Sequence, residues 1–208
     1  MAARIIIGID TGGTFTDAVA FDLDSRGILA KGKARTTKED LSVGISNALD
    51  TLPPALLREA CRISLSTTLA TNACVEGKGC RAKLILMGAT KTVLRTIGAE
   101  KKYGLREEDV LCLDTHGSFD GSVVDEPDWD AVIAENERWL ADTEAIGVVE
   151  ANAARNGAVC EKHAREALAA RFDVPIVLAS ELTSDLNMME RGATALLNAR
   201  LLPLIEEF

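Results

Sequence analysis

A run of apolar residues, Ile5-Ile6-Ile7-Gly8-Ile9, ends on a carboxylate, Asp10, and resumes after Gly12-Gly13 as an alternating stretch from Thr14 to Asp22. That order dictates two strands joined by a tight turn: the first is apolar enough to lie inside a sheet, and the second shows its two sides to different surroundings. A third strand is expected from Gly27 to Thr36, after the turn Asp24-Ser25-Arg26-Gly27. From Asp40 the apolar spacing changes to Leu41, Ile45, Ala48, Leu49 and Leu52, the period of a helix, which Pro53-Pro54 should stop.

Strands and helices alternate from there. Residues 62–66 read as a short strand, 67–76 as a helix ended by Gly77, and 81–87 as an apolar strand. A helix should begin at Asp128 with Trp129, Val132, Ile133, Trp139 and Leu140 on its apolar stripe; 146–149 is a strand, 158–171 a helix and 175–179 a last strand. Ser184 is placed to cap a long final helix. Between about 88 and 125, glycines and charges show no period, which suggests an irregular insertion or an active-site flap. The class expected is α/β with a mixed sheet, as one domain over 1–208 carrying that insertion.

Composition narrows the functions open to such a domain. Lys and Arg total 23 against 32 Asp and Glu, a net charge of -9, which is the wrong sign for binding nucleic acid through its phosphates. The apolar runs fall well short of the roughly 20 residues that span a bilayer, so no membrane partner is expected and the chain reads as cytoplasmic. Five cysteines without a CxxC pair, and only two histidines, exclude a disulfide or zinc framework and suggest buried thiols.

Two segments carry chemistry. In Asp10-Thr11-Gly12-Gly13-Thr14-Phe15-Thr16-Asp17, glycines that tolerate positive φ and leave the main chain uncovered stand beside hydroxyls that can donate to phosphate oxygens. Asp10, at a strand end, suits magnesium held through water, because that ion takes one or two carboxylates and keeps much of its hydration; Asp17 can support the loop. A plain hairpin turn is the structural alternative. The second segment, Ser64 to Ala73, feeds a strand into a helix start crowded with hydroxyls, as an anion site or an ordinary Ser/Thr cap would be. Neither a Walker loop nor a dinucleotide fingerprint is present. Near the second segment the only carboxylate is Glu76, on the far side of its helix, which weighs against a sugar kinase. His116 reads as a loop histidine in solvent or on the flap, His163 as a surface residue, and Glu190-Arg191 as an ion pair or a substrate contact.

Three stretches together resemble the N-terminal part of the hydantoinase A/oxoprolinase family, within the actin-like ATPase superfold: Ile7 to Asp17, Ser66 to Ala73, and Glu190-Arg191 with Leu197 to Pro203. The resemblance covers nearly the whole chain. It implies an actin-like, ribonuclease H-like half with a mixed five-stranded sheet, the second half of the ATP site being absent from this chain and the isolated piece inactive. It further implies ATP and magnesium as cofactors, and phosphorylation of a cyclic amide or imide carbonyl oxygen that drives ring-opening hydrolysis. Asp10, Thr67 and Thr68 would be catalytic, with magnesium on Asp10; Gly12, Gly13, Thr14, Thr16 and Asp17 would hold the nucleotide, and Thr71 and Asn72 the substrate. The partners implied are the remainder of the polypeptide or a hydantoinase B-like subunit, with a homo-oligomer also admissible. Rival readings are an actin-like nucleotide sensor or activator ATPase, and a small-molecule kinase. The stretch Glu150 to Gly157 keeps Arg155-Asn156 but has Asn152 where relatives carry histidine.

Overall fold

The structure is a computed structural model and describes residues 4–37, 39–75 and 77–206. Its contacts divide the chain, expected as one domain, into two compact units that meet in sequence between Lys78 and Gly79.

The first unit contains β1 (Ile5–Thr11), β2 (Phe15–Asp22), β3 (Gly27–Arg35), α1 (Leu41–Asp50), α2 (Pro54–Glu59), β4 (Ala60–Thr67) and α3 (Leu69–Val75). The strands form one mixed sheet in the order β3-β2-β1-β4, antiparallel except for the parallel pair β1 and β4. Alternation along β1 sends Ile5, Ile7 and Ile9 to the face covered by α1, where they pack with Ala18, Ala20, Ala48 and Leu52. The prolines stop α1 as expected, yet Pro54 then opens α2, because proline's fixed φ suits the first helical position. β4 is exposed nearly throughout, and Ile63 and Leu65, in register with Ile7 and Ile9, lie outside the core.

The second unit contains β5 (Ala82–Met87), α4 (Lys91–Ile97), α5 (Ala99–Tyr103), a 3-10 turn (Glu107–Asp109), β6 (Val110–Leu113), α6 (Trp129–Glu135), α7 (Glu137–Ala141), β7 (Ala145–Glu150), α8 (Ala153–Asn156), α9 (Val159–Ala169), β8 (Ile176–Leu178), α10 (Ala179–Leu182) and α11 (Met188–Glu206). Its strands form a second sheet, wholly parallel, in the order β6-β5-β7-β8. Both faces are covered, which is why β5 and β7 read as near-continuous apolar runs. Leu84, Leu86 and Val149 pack with Leu196 of α11 on one side; Ile85, Ile146 and Val148 pack with Leu168 of α9 on the other.

Three expectations need correcting. Two four-stranded sheets replace one of five strands, because among the described residues the strands from residue 82 onward pair with one another. The stretch 88–125 is not irregular throughout: α4, α5 and β6 fill it up to Leu113, in pieces too short for a period to show. The final helix is capped by Asn187, whose Oδ1 accepts the Met189 and Glu190 amides, rather than by Ser184. Cysteine burial also divides: Cys160 is buried, Cys80 and Cys112 are half-buried, and Cys61 and Cys74 are exposed. Desolvation pushes the Cys160 thiol up to about 11, which keeps it protonated and inert.

Candidate functional site

The parallel pairing of β1 with β4 brings the two chemical segments together within the first unit. Asp10 lies beside Ser66 and Thr11 beside Thr67 in register, and the Thr68 amide donates to the Thr11 carbonyl at 3.1 Å. Across β2, Asp10 faces Asp17. Alternation leaves both carboxylates on the sheet face opposite α1, exposed, beside an open groove of about 480 Å³ that Ser64, Ser66 and Lys31 also line. Lys33 holds Asp17 at 2.9 Å and sits 5.0 Å over the Phe15 ring, so Asp17 acts on the loop's flank.

The turn itself is closed by the Gly12 amide donating to Phe15 O at 3.0 Å. Neither Gly12 nor Gly13 adopts positive φ, contrary to the conformational reason expected for them. Space explains them instead. A Cβ on Gly12 would stand 3.1 Å from Phe15 O, and one on Gly13 3.2 Å from Asn72 Nδ2. Asn72 therefore lies directly against the glycine turn, where its Nδ2 donates to Thr68 Oγ1 at 3.0 Å. Thr68 and Asn72, assigned from the resemblance to catalysis and substrate, belong spatially to the loop.

The threonines divide by burial. Thr14 is exposed at the turn, and Thr67 and Thr71 are exposed on the neighbouring segment, with Thr67 Oγ1 donating to Thr11 O at 3.3 Å. Thr16, expected to hold phosphate, is fully buried and its Oγ1 lies 3.0 Å from Thr36 Oγ1; Thr36 in turn donates to Gly12 O at 2.8 Å. Thr16 is thus a brace under the turn. Sequence reasoning missed Thr36, because a single threonine after an edge strand carries no signal until the strands pair. Glu76 lies outside the described residues.

Thr11 is 2% exposed and its hydroxyl has no hydrogen-bond partner. Burying a hydroxyl without a partner is unfavourable, so the isosteric change Thr11→Val should stabilise the chain by about 1 kcal/mol. A higher urea midpoint with an unchanged slope is the expected reading. A lower midpoint would mean that the hydroxyl is satisfied after all.

In the second unit the other polar candidates resolve differently. Arg191 is wholly buried and lies 3.7 Å from the equally buried Glu161, while Glu190 is exposed, so the pair Glu190-Arg191 is not an ion pair. Burial pushes the Glu161 carboxyl above its ordinary value, against the lowering effect of the Ser180 and Glu150 amides and of Arg191. Asn152 and Asn156 join Glu150 in a buried hydrogen-bond cluster. His163 is partly exposed and paired with Glu126, and His116 is half-buried.

Fold and site together define an α/β chain with a glycine and hydroxyl loop at a strand end, backed by a second polar segment on the adjacent parallel strand. The profile of the hydantoinase/oxoprolinase N-terminal region matches residues 6–172, and the chain belongs to that family. No curated protein sequence matches it. Among solved structures, nucleotide-free acetone carboxylase, described for ATP-dependent acetone carboxylation, superposes with a TM-score of 0.79 at 17% identity, over 98% of this chain and 33% of that one. The ATP-dependent caprolactamase from Pseudomonas jessenii gives 0.69 at 24% identity, over 97% and 32%. At such identities the likeness establishes the fold, and the α/β class with helix-flanked sheets stands. The chain spans about a third of the length of either structure. Among the described residues, no helix is long and apolar enough to cross a membrane.

Proposed function

We propose that this chain is the N-terminal portion of an ATP-dependent enzyme that phosphorylates the carbonyl oxygen of a cyclic amide or imide and so drives its hydrolysis. The observation that carries the reading is the convergence of Thr68 and Asn72 on the Gly12-Gly13 turn, next to the exposed carboxylate of Asp10. A plain hairpin turn has no use for a second polar segment held against it.

Magnesium is compatible with these residues. Among those described, no group of three or more His, Cys, Asp or Glu forms a cage, but this ion needs only one or two carboxylates and retains water. Asp10, exposed at the strand end and opposite Asp17, is such a carboxylate. ATP with magnesium supplies, when bound, an activated phosphoryl group for the amide oxygen, which makes the carbonyl carbon open to water and the ring nitrogen a leaving group.

The chain's own part is placement. Glycine at 12 and 13 lets Phe15 O and Asn72 close in on the turn, and Thr14, exposed there, offers its hydroxyl to phosphate. Asn72 and Thr68 fix the turn from below, Thr16 and Thr36 from behind, and Lys33 keeps Asp17 at its flank. Thr71, exposed beside it, is the hydroxyl placed to meet a substrate, and Thr67 Oγ1 ties its own segment to the Thr11 carbonyl. The adenosine side of the site, and a hydantoinase B-like partner, belong to polypeptide other than this chain.

The test uses the full-length protein. Hydantoins or oxoproline should stimulate its ATP hydrolysis, and Asp10→Asn should reduce the stimulated rate by at least about a hundredfold, the scale of losing one electrostatic group in phosphoryl transfer. Stimulation that survives Asp10→Asn would overturn the reading. A stable phosphorylated product, seen by mass spectrometry, would identify a kinase instead.

A further inference from the structure

Strand pairing in the first unit sets one row of charged and polar side chains across the sheet face opposite α1. In register the row reads Lys33 on β3, Asp17 on β2, Asp10 on β1 and Ser66 on β4. Directly opposite residues share a face with Cβ atoms about 5 Å apart, close enough for two carboxylates to hold one cation between them. Like charges in such a pair repel, and Lys33 offsets that repulsion by engaging both oxygens of Asp17, Oδ1 at 2.9 Å and Oδ2 at 3.2 Å. Among the described residues none holds the Asp10 carboxylate. The other β3 cations of this face stand a row away: Lys31 lies opposite Val19 and Arg35 opposite Phe15.

Lys33 therefore sets how many carboxylates the strand end offers. With its ammonium on Asp17 one remains, Asp10, and a lone exposed carboxylate binds a divalent cation weakly, because the ion gives up little of its water for it. The Lys33 and Asp17 side chains are 55 and 52% exposed, and an ion pair in that setting is weak enough for an arriving polyanion to rearrange. The same ammonium sits 5.0 Å over the ring of Phe15, the first residue after the glycine turn, so its charge stands beside the turn and not away from it.

We propose that Lys33 is a positioning residue that keeps Asp17 from joining Asp10 as a cation ligand, so that the strand end holds a divalent cation poorly until a polyphosphate supplies further oxygens. The inference rests on the reading above for the presence of a cation at Asp10. It adds an order of binding, with the ion arriving as its nucleotide complex, and names the residue that imposes it.

Manganese(II), which takes the same oxygen ligands as magnesium and is read by water-proton relaxation, tests the role of Lys33 in the full-length protein without nucleotide. The parent should bind the ion weakly, and Lys33→Met should bind it about tenfold more tightly, the effect of removing one positive charge about 6 Å from a doubly charged ion in water. That gain should need both carboxylates, so adding either Asp17→Asn or Asp10→Asn to Lys33→Met should return the affinity to the parent's or below. Lys31→Met removes a charge from the same face without freeing a carboxylate and should gain far less, and Lys33→Arg, which keeps the pair, should match the parent. Should Lys33→Met fail to fold, Lys33→Gln carries the same expectation. A non-hydrolysable ATP analogue should bring manganese onto the parent, seen as relaxation above that of the manganese complex of the analogue alone. An unchanged affinity in the folded Lys33 variant, a gain that survives Asp17→Asn, or an equal gain in Lys31→Met would overturn the proposal. A gain that needs both carboxylates in a protein whose ATP hydrolysis no amide stimulates would leave the role of Lys33 standing and remove the proposed reaction instead.

Discussion

Replacing Arg191 by methionine is expected to destabilise the chain by about 3–5 kcal/mol, the range found when one partner of a buried ion pair is removed. The side chain has no solvent exposure, and neither has its partner Glu161. Its guanidinium also donates to the carbonyls of Glu150, the last residue of β7, and Ala151, the next one, and both would lose their donor together. Methionine fills comparable volume, so the loss reads polar satisfaction rather than a cavity. The variant should also show a pH signature. Burial already raises the Glu161 pKa, and losing Arg191 raises it further. A carboxyl whose folded pKa lies above its unfolded value favours folding when protonated, and that contribution is lost as pH rises through the folded value. The deficit of Arg191→Met should therefore be smaller near pH 4, below the ordinary glutamate value of about 4.3, than at pH 7. Urea unfolding at the two pH values measures it. A deficit below 1 kcal/mol at pH 7, or one that grows on acidification, would show that the pair is solvated.

Gly32→Ala is the second change with a large effect. An added Cβ on this β3 residue would stand 2.0 Å from Thr51 Oγ1 and 2.7 Å from the carbonyl of Ala48. The first obstacle is a side chain that can rotate away. The second is backbone of α1, so the helix must lift from the sheet, opening the packing of Ala48 and Leu52 against Ile5, Ile7 and Ile9. Overpacking of this kind costs about 3 kcal/mol. Unfolding by urea should show it, and Thr51→Ala added to Gly32→Ala should recover only a small part. Full recovery would locate the clash in the threonine hydroxyl and acquit the helix backbone. Because the sheet that α1 covers also positions Asp10 and the turn, amide-stimulated ATPase of the full-length protein should fall with it.

The family resemblance and the α/β class were legible in local pattern. Binary patterning and punctuation by glycine and proline placed β1, β2, β3, α1, β5, β7 and α9 within a few residues. Where local signals competed, the reading failed: Pro54 both ends one helix and opens the next, and Asn187 rather than Ser184 caps α11 because its side chain reaches two amides. The candidate site was legible as two segments but not as one place. Nothing in the sequence states that β4 runs parallel to β1, which alone sets Thr68 and Asn72 against the glycine turn. Thr14 and Thr16 look alike in sequence, yet one is exposed and the other serves as a buried brace, since strand alternation assigns faces only once a core exists on one of them.

Composition, periodicity and the Asp10 to Asp17 string by themselves determined the kind of chain, its secondary structure in outline and the residues able to meet an anion, because those properties depend on neighbours along the backbone. The separation into two four-stranded sheets, the partners of Arg191 and the place of Ser66 beside Asp10 were decided only by the tertiary structure. They depend on which strands pair and which groups lose water together, and those are contacts between residues tens of positions apart.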